Sequence, residues 1–138
     1  MRALLTAASL ALLALPGAAI AEEQAQPYPK GEAELAKMLE GRVAGKPVKC
    51  LPSFQMQSST VVDKTAIVYR QGSKLYVNRP RSGAGQLGGD DILVTQLYGS
   101  QLCNIDKIDL VDRASHMWSG FVVLGDFVPY ERVKSAAR

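Results

Sequence analysis

Histidine occurs once in this chain of 138 residues, at His116, tryptophan once, at Trp118, and cysteine twice, at Cys50 and Cys103. That scarcity excludes a metal centre built from several imidazoles or thiolates. The cysteines have neither the C-x-x-C spacing of a redox pair nor a neighbouring histidine to complete a zinc site. No long run of like charge is present, and the formal charge is only +3. Such a balance gives no footprint for nucleic acid or for an anionic membrane surface. There is no internal repeat. After the first residues no apolar stretch approaches the roughly twenty residues that a helix needs to cross a bilayer.

What is present begins with Arg2, an apolar run from Ala3 to Leu15, a helix-breaking Pro16-Gly17, and small residues ending Ala19-Ile20-Ala21. This is the three-part pattern of a secretory signal peptide cleaved after Ala21, and the run of about thirteen residues is too short for a stable anchor. No cysteine stands beside Glu22 to take a lipid, so the expected destination is the periplasm or the medium, with no membrane span after cleavage. The predicted organisation is a signal peptide over 1–21, a flexible lead over 22–29 carrying two prolines, and a single domain over 30–138. About 117 mature residues suffice for one modest core. In an oxidising compartment Cys50 and Cys103 are expected to form a structural disulfide.

From Gly31 the text becomes Glu32-Ala33-Glu34-Leu35-Ala36-Lys37-Met38-Leu39-Glu40. Leu35, Met38 and Leu39 fall at i, i+3 and i+4, and Gly41 stands where a C-terminal cap belongs, which predicts one short amphipathic helix. After Gly45 the pattern changes to period two. Thr65–Arg70 and Lys74–Arg79 flank Gln71-Gly72-Ser73 as a hairpin, and further strands are expected at Val48–Leu51, Ser59–Val62, Ile92–Tyr98, Lys107–Val111 and Phe121–Val128. The last is apolar on both alternation classes and so reads as one doubly buried strand, bent at Gly125 and ended by Pro129. The fold class is therefore mainly β: a short N-terminal helix, then a curved antiparallel sheet or small barrel of about six or seven strands, with Cys50 in the first.

The glycine-rich break from Arg79 to Asp91 contains Gly83-Ala84-Gly85-Gln86-Leu87-Gly88, which satisfies G-x-G-x-x-G. A dinucleotide site also needs a helix directly after the glycines, whereas Asp90-Asp91 and a strand follow, so a flexible hairpin loop is expected and no cofactor. Asp90, Asp91, Asp106, Asp109 and Asp112 match no calcium-loop spacing and read as solvated turn and edge residues, giving no metal site. Ser115 and His116 are neighbours, but no nucleophile elbow or oxyanion loop accompanies them, so no catalytic residue is assigned. Arg79 and Arg81 could grip an anion, though pairing with Asp90 or Asp91 across the base of the loop is the simpler expectation. Met117 and Trp118 either close the end of a barrel or form a binding contact, since both residue types are enriched in desolvated interface centres.

The blocks Cys50-Leu51-Pro52, Asp63–Tyr69, Leu75–Arg81, Asp90–Thr95 and Gly99–Cys103, with Asp109–Arg113 and Gly120–Tyr130 after them, resemble a family of small exported bacterial proteins of unknown function. The resemblance covers about the last ninety residues and implies no activity and no functional residues.

The expected function is a non-enzymatic envelope protein that binds another envelope protein, for example as a periplasmic protein inhibitor, through the loops Gly83–Asp91 and His116–Gly120. The candidate contacts are Arg79, Arg81, Asp90, Asp91, His116, Met117 and Trp118. An enzyme or small-ligand carrier would instead place a concave site inside the barrel, using Tyr69, Tyr76 and Asp126. A purely structural envelope component would show no clustered exposed apolar residues.

Overall fold

The structure, a computed structural model, describes residues 27–134, so the segment read as a signal peptide lies outside the described residues. Helix α1 spans Pro29–Met38 and starts inside the segment read as a flexible lead. Proline stands in the first turn of the helix, where its missing N–H is not needed and its fixed φ already suits the helix. Tyr28 caps the helix in extended conformation, and Lys64 Nζ lies 5.2 Å from the Tyr28 ring centroid. Among the described residues, no helix is long and apolar enough to cross a membrane.

Among the described residues, ten strands follow α1, in three antiparallel sheets. The largest has the order β1-β10-β5-β4-β3, built from Arg42–Ala44, Phe127–Arg132, Lys74–Asn78, Ala66–Gln71 and Ser58–Val62. A second joins β6, β8 and β9 (Ile92–Thr95, Lys107–Val111 and Trp118–Val123), and a third pairs β2 (Cys50–Pro52) with β7 (Gln101–Cys103). In the third, Cys50 and Cys103 are direct cross-strand partners and are joined by the expected disulfide, with an S–S distance of 2.05 Å. Cys50 thus opens the second strand; β1 and β7, at three residues each, are too short to leave a clear period in the sequence.

The five-stranded sheet is the middle layer. Leu35 of α1 packs on one face against Val62, Ala66, Val68, Leu75 and Val77. Burying Leu35 to 2% exposure contributes about 1.5–3 kcal/mol. Close seating of α1 depends on Gly31, because a Cβ there would run into Thr65 Oγ1 and the Asp63 carbonyl. On the opposite face, Ile67, Tyr69 and Phe127 pack against Leu51 and Leu102 of the two-stranded sheet and Ile108, Leu110 and Val122 of the three-stranded sheet. Strand β4 is accordingly buried on both sides, with Ala66, Ile67, Val68 and Tyr69 all enclosed.

Three expectations need correction. The sheets do not close into a barrel: β3 and β6 each pair on one side only, and a cleft separates them. And Phe121–Val128 is not one strand. The chain leaves the three-stranded sheet after Val123 and joins the five-stranded sheet at Phe127. At this crossing Gly125 lies against the backbone of Arg79, too close for any Cβ. The fully buried Asn78 side chain donates to the Gly125 carbonyl at 2.6 Å and accepts from its N–H at 3.0 Å. Nor does Pro129 end the strand; it pairs with Tyr76 inside β10. Its absent N–H falls in the gap between the end of β1 at Ala44 and the bridge of Val48 to Phe127, a tolerated place for proline in a sheet.

Candidate functional site: the outer face of the three-stranded sheet

Alternation in β6, β8 and β9 sends Leu93, Ile108, Leu110 and Val122 inward to the core. The opposite parity faces out. Register places Val94, Asp109 and Phe121 in one row across the three strands, and Ile92, Val111 and Trp118 in the next. Residues of this class on a one-sided antiparallel sheet are ordinarily polar. Here Val94 is 42% exposed, Phe121 38% and Trp118 63%, with Met117 beside them at 69%. Among the described residues, no layer covers this face.

One polar node lies within it. Lys107 Nζ meets Asp109 Oδ1 at 2.9 Å, and Trp118 Nε1 donates to the same oxygen at 3.3 Å. The Lys107 hydrogen bond, and after it that of Trp118, hold the Asp109 carboxyl below the usual carboxylate range. Lys107 also stands 5.6 Å from the centroid of the Phe121 ring, within cation–π reach. The node therefore orients the indole and the phenyl ring while its two charges cancel.

The turn between β8 and β9 sets the far end of the face. Asp112 accepts from the backbone N–H and the hydroxyl of Ser115, both at 2.7 Å, and its carboxyl is held low by these bonds. The His116 N–H closes onto the Asp112 carbonyl at 2.9 Å with φ +56° at His116, so Ser115 and His116 serve as turn residues and no Ser–His relay is formed. Their turn projects Met117 and Trp118. With Trp118 this exposed, the barrel-closing reading of that side chain does not hold.

Asp90 and Asp91 come to the same end. Arg113 Nε donates to the Asp90 carbonyl and Ser119 Oγ to Asp91 Oδ1, each at 3.3 Å. Arg79 and Arg81 lie elsewhere, and the pairing expected for them is replaced. Arg79 makes a bidentate bond to Glu32 on α1, at 2.5 and 2.8 Å, and Arg81 donates to the carbonyls of Leu124 and Asn104. Both are spent on holding elements together.

The glycine-rich segment, read as a flexible hairpin loop, is anchored to the core and to β9. Its 3₁₀ turn, Ala84–Gln86, leads to Leu87, which is buried in the main core at 1% exposure and accepts from the Lys64 N–H. The Gln86 side-chain oxygen accepts from the Phe121 N–H at 3.2 Å. Among the described residues, no cluster of His, Cys, Asp and Glu side chains could hold a metal ion.

Of the residues considered for an internal site, Tyr76 packs against the core and Asp126 is exposed. Tyr69 lines the cleft of about 280 Å³ between β3 and β6. Its hydroxyl is buried without a hydrogen-bond partner among the described residues, and burial pushes the phenol up from its ordinary range. Phe121, Val94 and Lys107 were not singled out in the sequence, because only cross-strand register shows that they join Trp118.

Comparison with protein-family models, with curated proteins and with solved structures finds no match for this chain.

Proposed function

We propose that this chain is an exported, non-enzymatic binding module that docks on another envelope protein through the outer face of its three-stranded sheet. One observation carries the reading: Trp118, Phe121 and Val94 share one exposed sheet face with Met117 at its end, and a self-neutralised ion pair lies inside it. Aromatic side chains oriented around a desolvatable node, with a methionine exposed at the edge, are the composition of interface centres. Because Lys107 and Asp109 cancel, the partner surface that fits is apolar and nearly neutral. The interior of the domain is filled with apolar side chains, which favours an interaction module over a carrier with an internal site. Clustered exposed apolar residues also speak against a purely structural component.

The test is a photo-crosslinking amino acid placed at position 121, and at position 34 on the exposed side of α1, in the protein expressed in its native host. The expected result is one defined adduct from position 121 and none from 34. Equal adducts from both positions, no adduct, or an adduct only of twice the chain's mass would overturn the reading.

A further inference from the structure

We propose that Arg42, Arg70 and Arg132 form a binding site for a phosphate-bearing ligand at the open end of the helix-covered face of the five-stranded sheet. Parity places them there: Ala66 and Val68 of β4 face α1, and Arg70 continues their row. Arg132 continues the row of Tyr130, and Arg42 is the direct cross-strand partner of Arg132. Just beyond the C-terminus of α1 the three line one hollow of about 640 Å³, together with Lys37, Met38 and Leu75.

Like charges placed directly opposite on neighbouring strands oppose folding. Yet among the described residues no carboxylate pairs with any of these arginines; the nearby Glu131 is engaged by Lys74 at 2.7 Å. Burial and then the charges of Arg132 and Arg70 push Arg42 below its ordinary range. Arg42 is nonetheless held in place, donating through Nη1 to the carbonyls of Ser73 at 2.8 Å and Tyr130 at 3.4 Å. A preorganised guanidinium beside two that have no partner among the described residues is the arrangement that matches a multidentate oxyanion. Four cations line the hollow against one acid, Glu40. A monocarboxylate would neutralise one of them, whereas a phosphate monoester brings a charge of about −1.5 to −2 and three acceptor oxygens. Leu75 and Met38 offer an apolar floor to the group that bears the phosphate.

Inorganic pyrophosphate titrated into the protein at low salt, followed by calorimetry, tests the site. Saturable one-to-one binding is expected, weakened at least about tenfold in Arg70→Ala/Arg132→Ala. Arg42 is left intact because it braces the backbone. Arg132→Gln alone should also weaken binding and should raise the melting temperature of the unliganded protein; it decides the matter if the double variant does not fold. Vesicles of phosphatidylcholine doped with phosphatidic acid distinguish the source of the phosphate. Arginine-dependent vesicle binding that pyrophosphate displaces assigns a lipid headgroup, and pyrophosphate binding without vesicle binding assigns a soluble ester. Absence of saturable binding, or binding that the variants leave unchanged, overturns the site.

Discussion

Replacing Asn78 by alanine should be among the most damaging single changes in this domain. Its side chain is fully buried and exchanges two hydrogen bonds with the backbone of Gly125, where the chain passes from the three-stranded to the five-stranded sheet. Alanine leaves the Gly125 N–H and carbonyl both buried and unsatisfied, at about 1–3 kcal/mol each. The expected loss is therefore roughly 2–6 kcal/mol, against a total stability of about 5–15 kcal/mol for a domain of this kind. Urea unfolding followed by far-ultraviolet circular dichroism measures it. Trp118 emission is a poor probe because the indole is already exposed. Asn78→Asp is the informative second variant: it keeps an acceptor for the Gly125 N–H, but once ionised it has no donor for the carbonyl, so it should be destabilised increasingly as pH rises and the buried carboxyl gives up its proton. A loss under about 1 kcal/mol in Asn78→Ala, with the slope against urea unchanged, would refute the claim that this side chain holds the crossing together.

Removing the disulfide with Cys50→Ser/Cys103→Ser opens a link between residues separated by 53 in sequence. On the chain-entropy model, urea unfolding should show a loss of about 4 kcal/mol. Glu32 is held below the usual carboxylate range chiefly by its hydrogen bond to Arg79. A depressed carboxylate stabilises the fold above its unfolded pKa, and that contribution fades as pH falls through the lower folded value. Wild-type stability should thus decline below about pH 4.3 more than that of Glu32→Gln. Both partners are partly exposed, so the difference measured by acid titration of the unfolding midpoint should stay under about 1 kcal/mol.

Elements defined by neighbours in sequence were legible, and elements defined by neighbours in space were not. The stripe of Leu35, Met38 and Leu39 identified α1, and Gln71-Gly72-Ser73 identified the turn between β4 and β5, whose register pairs Gln71 with Lys74. Phe121–Val128 misled because an apolar stretch reads alike whether it is one doubly buried strand or two strands in different sheets. What divides it is Asn78, 47 positions away from Gly125. The glycine-rich segment misled in the same way, since a lone Leu87 among glycines carries no period, yet it fills the core. Met117 and Trp118 could be singled out by residue type alone. Their surroundings could not, because Val94, Asp109 and Phe121 meet only through strand register. Arg42, Arg70 and Arg132 stood unnoticed for that reason too, each being unremarkable in its local text.

The proposed docking of the three-stranded face is tested most directly by hydroxyl-radical footprinting of the protein in its native cell envelope and again after purification. Met117, Trp118 and Phe121 should be modified in the purified protein and protected in the envelope, while Phe54, 77% exposed on the turn after β2, is modified in both. Equal modification of Met117, Trp118 and Phe121 in the two settings would contradict the account.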